Sequence, residues 1–289
     1  MDSEQRGVLY AVLAAASFGG TAPGVEHFGH EAGPFATASI LYLGAVVTTL
    51  YPERTGERVR SSDAPRVLFV GLLGAAFAPA ALAWGLQHAG ATSGALMLNL
   101  EAVLTVALAR ALYGEPIGSR LALALGLIVA GGILLPLRTG TLDFRGGAGL
   151  LLVALSTLAW AADSTLSRPL AQRRPTSVVF FKSLVGIGAS VSIAFALNEP
   201  WPNLRSMLGL GVCGVVGYGM SLRLYLLAQR ELGAARTGSV FGFAPLLGAA
   251  IAFALGDRAG ALVVAAASVL ICAGVAVLAT ERRKKPEAA

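Results

Sequence analysis

The stretch LMLNLEAVLTVALA, residues 96–109, is apolar along almost its whole length and carries a single acidic residue, Glu101. The surrounding apolar block, residues 91–112, is long enough for a helix that crosses a bilayer. An ionised carboxylate in such a setting costs several kcal/mol unless it is paired or protonated. The position of Glu101 therefore predicts a water-accessible site within the membrane, at which its charge or a bound proton has a function.

The composition of the whole chain agrees with this prediction. Of 289 residues, 55% are hydrophobic and 13% are charged, against about a quarter charged residues in an average soluble protein. The apolar residues lie in long blocks, which predicts an all-α integral membrane protein. The net charge of +6 does not indicate nucleic-acid binding, because the basic residues lie at the ends of these blocks.

Turn and charge signals such as PERTGERVRSSDAPR (52–66) and NEPWPN (198–203) divide the chain into ten predicted transmembrane helices. Their predicted limits are 7–25, 33–51, 65–86, 91–112, 118–137, 147–168, 176–197, 205–228, 235–256 and 259–280. Because ten is an even number, both termini lie on the same side of the membrane.

The distribution of Lys and Arg predicts which side this is. With cytoplasmic termini, 18 of the 22 basic residues lie at inner helix ends and loops, and four lie outside. The outer four are Arg138, Arg145, Arg205 and Arg258. The positive-inside bias therefore predicts a multi-pass protein of the cell inner membrane with both termini in the cytoplasm.

The two halves of the chain resemble each other. GVLYAVLAAASFGG, which begins at Gly7, aligns with GLLLVALSTLAWAA, which begins at Gly149. This predicts two five-helix repeats, residues 7–137 and 147–280. Since five is odd, the second repeat is inserted upside down, and inverted repeats are typical of secondary transporters with a site near the midplane.

Five stretches carry a family resemblance. They are NLEAVLTVALARALYGEP (99–116), WAADSTLSRPL (160–170), FFKSLVGIGAS (180–190), GYGMSL (217–222) and ELGAARTGSVFGFAPLLGA (231–249). The sequence resembles the drug/metabolite transporter superfamily, in the branch built from two EamA repeats. The resemblance implies ten helices, cytoplasmic termini, a central cavity and transport, usually export, of small metabolites such as amino acids. One departure is that Glu101 stands where the second repeat has Pro245.

Two other motifs have simpler explanations than the functions they suggest. GLGVCG (209–214) fits a dinucleotide-binding pattern, but no strand precedes it, and small residues that let helices approach closely explain it better. EHFGHE (26–31) offers metal ligands but is more typical of a solvated loop. No cofactor is expected. No Ser/His/Asp or Cys/His set can be assembled at membrane depth, because all three histidines lie at predicted outer loops, and this disfavours an enzyme.

Three charged residues, Asp163, Lys182 and Arg223, lie five or six residues from the cytoplasmic face in the predicted spans. Equal depth favours an ion pair or a gate among them, and direct contact with substrate is the alternative. The nearby aromatic residues Trp160 and Tyr218 are deep enough to contact substrate.

Glu101 has no equally deep cation in the sequence. The first interpretation is a carboxylate that binds a proton or a substrate amine, together with its helix neighbours Asn99 and Thr105. The second is a permanently protonated glutamate bonded to Thr105 or to a backbone carbonyl. Burial favours the neutral form of a carboxyl group, which suits a group that gains and loses a proton in each cycle.

These features together predict a secondary transporter that exports a small polar or zwitterionic metabolite, such as an amino acid, by proton-coupled alternating access. A lipid or lipid-carrier flippase of the same superfamily is the alternative. The expected partners are a small-molecule substrate, the lipid bilayer and protons, without nucleic acid. For the oligomeric state, a monomer and a homodimer are the two alternatives.

Overall fold

A computed structural model describes residues 3–51, 56–113, 118–134, 144–232, 234–256 and 261–280. Nearly all residues in these ranges are helical, and they form ten successive helical segments. These are α1 (Ser3–Gly29), α2 (Pro34–Leu50), α3 (Ser61–Ala89), α4 (Ala91–Met97 and Leu100–Tyr113), α5 (Ser119–Leu134), α6 (Phe144–Leu166), α7 (Pro175–Ala196), α8 (Leu204–Leu232), α9 (Ala234–Phe241 and Ala244–Ala254) and α10 (Ala261–Thr280).

The surface of the helices is that of a membrane protein. In the described part of the chain, α1, α3, α6, α7 and α8 are long and apolar enough to cross a bilayer, and shorter apolar helices lie in α2, α4, α5 and α10. Large apolar side chains such as Leu68, Phe195 and Leu262 point outward and are more than half exposed. The predicted all-α membrane fold is therefore confirmed. Residues 135–137, at the predicted end of the fifth helix, lie outside the described residues.

The helices pack in pairs that are related by exchange of the two halves. α1 packs on α8, and the counterparts of these two helices in the other halves, α6 and α3, also pack on each other. α2 packs on α7, and α5 packs on α10, each helix against its own counterpart. The contacts thus have the approximate two-fold symmetry that the repeated sequence predicts.

The irregular parts of the helices repeat as well. α3 contains a π-helical segment at Leu72–Phe77, and α8 contains another, Gly214–Met220, at the matching place in the second repeat. α4 and α9 are each broken in the middle, at residues 98–99 and 242–243. Pro79 follows the segment in α3 and lacks the N–H that would bond to a carbonyl of the preceding turn, whereas Ser221 stands just after the segment in α8.

In each repeat, a glutamate in a loop bonds to the start of a helix of the other repeat. The Glu199 carboxylate accepts a 2.8 Å hydrogen bond from the Ala36 backbone N–H at the start of α2. Glu57, at the equivalent position of the first repeat, pairs with Arg173 just before α7 and accepts a 2.6 Å backbone bond from Arg174. Asp63 also accepts from Arg173 at 2.9 Å. These contacts tie the starts of α2 and α7 to loops of the other repeat.

The glycine-rich stretch GLGVCG lies within α8 and packs tightly against α1 and α2. A Cβ on Gly214 would lie 2.8 Å from the Leu41 carbonyl carbon, and one on Gly209 would meet the Phe28 ring at 2.5 Å. Close helix approach therefore accounts for these glycines. Around EHFGHE and elsewhere among the described residues, no three His, Cys, Asp or Glu side chains are grouped to hold a metal ion.

Candidate functional site

A cavity lies between the two halves. Its polar lining includes Asp163 and Ser164 in the last turn of α6, Lys182 about two turns into α7 and Gln229 in the last turn of α8, so this polar part lies toward the end of the molecule where α1 begins. At the opposite end the core is filled by large side chains that are almost fully buried, Leu82, Leu86, Leu96 and Val153. The lining residues used below are Phe18, Tyr42, Glu101, Trp160, Asp163, Ser164, Ser167, Lys182, Tyr218, Ser221, Tyr225 and Phe241.

One wall of the cavity carries a buried ion pair. Lys182 on α7 donates to the Asp163 carboxylate on α6, and the two side chains are only 4% and 7% exposed. Ser167, one turn below Asp163, donates to its other oxygen at 3.1 Å. Because each charge is balanced by the other and by a hydroxyl, the pair is stable at a depth where a single charge would not be.

Glu101 lies beside this pair, in the first turn of the second piece of α4. Ser164 on α6 donates a 3.3 Å hydrogen bond to its carboxylate. The break in α4 places the carboxylate near a helix N-terminus, where the helix dipole favours negative charge. Glu101 is half-buried and is one of the residues that line the cavity. The titratable groups that face it are Asp163, Lys182 and Tyr225.

Aromatic side chains line the cavity beside the ion pair, and a backbone carbonyl holds two of them in place. Within the π-helical segment of α3, the Gly74 carbonyl accepts hydrogen bonds from Tyr42 at 2.7 Å and from the Trp160 indole at 2.9 Å. Phe18 packs edge-on against both Trp160 and Tyr218, with ring centroids 5.9 Å apart in each case. The irregular backbone of α3 thus positions two aromatic side chains of the cavity.

Tyr218 is another aromatic residue of the cavity lining. The residue is 4% exposed, and its hydroxyl has no hydrogen-bond partner among the described residues. A buried hydroxyl without a partner loses the hydrogen bonds that it made with water. A ligand in the cavity would restore them.

The structure does not bring Arg223 to Asp163. Its guanidinium instead donates to the backbone carbonyls of Thr48 and Tyr51, the latter at 3.0 Å, at the end of α2. Carbonyls at a helix C-terminus lack partners within the helix and attract a cation. Of the three charged residues that share a depth in the sequence, only Asp163 and Lys182 meet.

Asn99 and Thr105 are not among the described residues that line the cavity. Asn99 lies at the break in α4, where its amide nitrogen donates to the Leu96 carbonyl at 3.1 Å. Thr105 is one turn beyond Glu101 and half-buried, while the Glu101 hydrogen bond comes from Ser164.

Sequence reasoning missed several residues that line the cavity, among them Phe18, Tyr42 and Ser164. Phe18 could have been found, because Trp160 lies at the equivalent position of the second repeat. Ser164 could have been suspected as the neighbour of Asp163. Tyr42 carried no signal, since its role depends on the irregular backbone of α3.

Comparisons with known proteins identify the family. The sequence pattern of the EamA-like transporter family matches residues 5–136 and 147–280. The chain belongs to the EamA-like transporter family. The transporter is 28% identical over 237 residues to an uncharacterized transporter of Methanothermobacter thermautotrophicus, covering 78% of the chain and 68% of that relative. A solved crystal structure with 20% sequence identity superposes with a TM-score of 0.69 over 94% of both chains.

Family membership gives the cavity its general purpose. The protein is a multi-pass membrane protein and a secondary transporter of the drug/metabolite transporter superfamily, with a small molecule as substrate and the lipid bilayer as surroundings. The cavity between its two repeats, with the Asp163–Lys182 pair and Glu101, is the candidate binding site.

Proposed function

We propose that the transporter exports a small polar or zwitterionic metabolite with an amino group, such as an amino acid, in exchange for protons. The observation that carries the proposal is the position of Glu101. It lines the cavity, is half-buried, and has no ion-pair partner within the described residues. A carboxyl group in this setting can bind either a proton or an ammonium group, and competition between the two couples their movements.

The asymmetry of the core supports alternating access. The cavity lies toward the end where α1 begins, and the equivalent space at the other end is filled by Leu82, Leu86 and Leu96. Because the halves are related by an approximate two-fold, exchanging their conformations would open that end and close this one. On this proposal, the end nearer the chain termini is the one at which substrate enters the cavity in one state, and the opposite end is the one at which it leaves in the other.

The direction of export rests on the orientation of the chain. The excess of Lys and Arg at the end that holds the termini supports an inner-membrane protein with cytoplasmic termini. A state open toward the cytoplasm accepts substrate from the cell, and protons that enter from outside can displace it on the other side.

Purified transporter in liposomes tests the proposal. A panel of radiolabelled amino acids and related amines is measured with and without an imposed proton gradient, with protein-free liposomes as the background. Gradient-driven flux of at least one amine-bearing metabolite is the expected result. Movement of a fluorescent lipid between leaflets, with no flux of any soluble compound, would instead identify a lipid flippase and overturn the proposal.

A further inference from the structure

The ammonium group of Lys182 has donors to spare. Among the described lining residues, Lys182 is the one Lys or Arg, and the carboxylates are Asp163 and Glu101. A lysine ammonium carries three N–H donors, and within the described contacts Lys182 gives one of them to Asp163. The cavity therefore contains a cation that can still donate to a ligand.

Asp163 does not depend on Lys182 alone for its position. Its other oxygen accepts a 3.1 Å hydrogen bond from Ser167, and Gly74 on α3 packs directly against its carboxylate. These contacts hold Asp163 in place independently of Lys182. A second carboxylate can therefore share the ammonium group without displacing the first.

Glu101 is a close neighbour of this pair. Its carboxylate accepts from Ser164, which directly follows Asp163 in α6, and it faces both Asp163 and Lys182. An anion and a cation that can each bind a ligand thus lie next to each other in one cavity. In an α-amino acid, the ammonium and the carboxylate are attached to the same carbon. Such a zwitterion completes a row of alternating charges between Lys182 and Glu101, which suits a site of low polarity.

Tyr218 offers the other donor of the lining, because its buried hydroxyl has no partner among the described residues. This donor is neutral and belongs to a ring that packs among the rings of Phe18, Tyr42 and Trp160. A hydrogen bond from a charged donor to a carboxylate is roughly twice as strong as one between neutral groups. The substrate carboxylate therefore belongs at Lys182, and Tyr218 contacts the rest of the substrate.

We propose that Lys182 binds the substrate carboxylate and thereby selects α-amino acids over amines that lack a carboxylate. This inference rests on the proposed function and narrows its substrate class. Lys182 lies in the second repeat and Glu101 in the first, so the bound zwitterion connects the two repeats across the cavity. When no substrate is bound, Asp163 balances the ammonium, which avoids an unpaired buried charge.

Matched pairs of an amino acid and its amide test this role, because the amide keeps the amine and the body but not the negative charge. Alanine, leucine and phenylalanine are compared with alaninamide, leucinamide and phenylalaninamide at pH 6, at which all the amines are charged. Calorimetry on the purified transporter in detergent gives the Kd values, and flux is measured in liposomes with a proton gradient.

The native transporter should bind the acid of at least one pair about tenfold more tightly than the amide, as expected for a charge-assisted hydrogen bond. Arg205→Met, which removes an exposed cation at the start of α8, should keep this preference. Tyr218→Phe should bind both compounds more weakly and also keep it. Equal affinity for acid and amide in the native protein, or loss of the preference in Tyr218→Phe, overturns the proposal.

Two variants of the ion pair separate Lys182 from Asp163. Asp163→Asn leaves the ammonium without its partner, so the substrate carboxylate takes that place, and the preference for the acid should become larger than in the native protein. Asp163→Asn combined with Lys182→Met removes both charges and should bind acid and amide about equally. An unchanged preference in either variant overturns the proposal.

The remaining outcomes also decide between the two claims. If a variant of the ion pair does not fold, the native protein and Tyr218→Phe decide by the criteria given for them. Binding and flux of the amides without the acids overturns the role of Lys182 and leaves the proposed function in place. If neither acids nor amides bind or move, the proposed function fails as well.

Discussion

Ser164 on α6 donates a hydrogen bond of 3.3 Å to the carboxylate of Glu101 on α4. The bond joins a helix of the first repeat to a helix of the second inside the cavity. It also links Glu101 to the neighbouring pair of Asp163 and Lys182, since Ser164 follows Asp163 directly in α6.

Removal of the Ser164 hydroxyl should move the pH dependence of transport. A hydrogen bond donated to a carboxylate stabilises its ionised form, so Ser164→Ala should let Glu101 hold its proton to higher pH. The midpoint of the pH profile for transport in liposomes should therefore shift to more alkaline pH. Ser192→Ala, an exposed serine of α7 that bonds within its own helix, is the matched control and should leave the profile unchanged. Identical profiles for all three proteins would contradict the role of this bond.

The pair of Asp163 and Lys182 should show strong coupling in a double-mutant cycle. Asp163→Asn or Lys182→Met alone leaves a buried charge without its partner, which costs about 3–5 kcal/mol. The double variant removes both charges and should recover much of the loss, as measured by thermal unfolding in detergent. Asp163→Asn combined with Arg223→Met should show no recovery, because Arg223 binds the end of α2 instead. Additive losses in the first cycle would contradict the pair.

Gly74 should tolerate no side chain. A Cβ at this position would lie 2.9 Å from the Asp163 Cβ and 2.5 Å from its carboxyl carbon, so Gly74→Ala must displace the ion pair. Overpacking of this kind costs about 1–3 kcal/mol. Gly188→Ala on α7 is the matched control, because a Cβ there meets nothing within 4 Å. Equal thermal stability of the two variants would contradict the packing described for α3 against α6.

The orientation of the chain can be tested with reporter fusions. A reporter after Ala289 should be active only if it stays in the cytoplasm, and one inserted near His30, between α1 and α2, should be active only outside. The expectation follows from the excess of basic residues at the end that holds the termini. Activity of both fusions on the same side would contradict the orientation and the number of spans.

The fold could be predicted from the sequence because apolar blocks of about 20 residues have few alternatives in a membrane. The site could be predicted only in part. The depth of a residue in the membrane follows from its distance to the ends of its helix. Equal depth correctly indicates that Asp163 and Lys182 can meet. The direction in which a side chain points cannot be read in this way, so Arg223 was grouped with them although it faces the end of α2.

The contacts that hold Tyr42 and Trp160 could not be predicted either, and the reason is different. Tyr42 and Trp160 are held by the Gly74 carbonyl, which belongs to a π-helical segment. Hydrophobic periodicity reports which residues are apolar and not which backbone bonds deviate from the regular helix. Pro79 was the available signal for an irregular helix, but it does not indicate which side chains use the irregularity.

The central claim is that Glu101 exchanges a proton for the substrate, and Glu101→Gln tests it most directly. Glutamine keeps the size and hydrogen bonding of a neutral glutamic acid but cannot ionise. Transport in liposomes is measured from pH 5 to pH 9 for the native protein, for Glu101→Gln and for the exposed control Glu231→Gln, after equal reconstitution and equal thermal stability have been verified. The native protein and Glu231→Gln should share one pH-dependent profile, and Glu101→Gln should lose transport or its dependence on pH. A Glu101→Gln profile that matches the native one would show that Glu101 does not exchange a proton for the substrate.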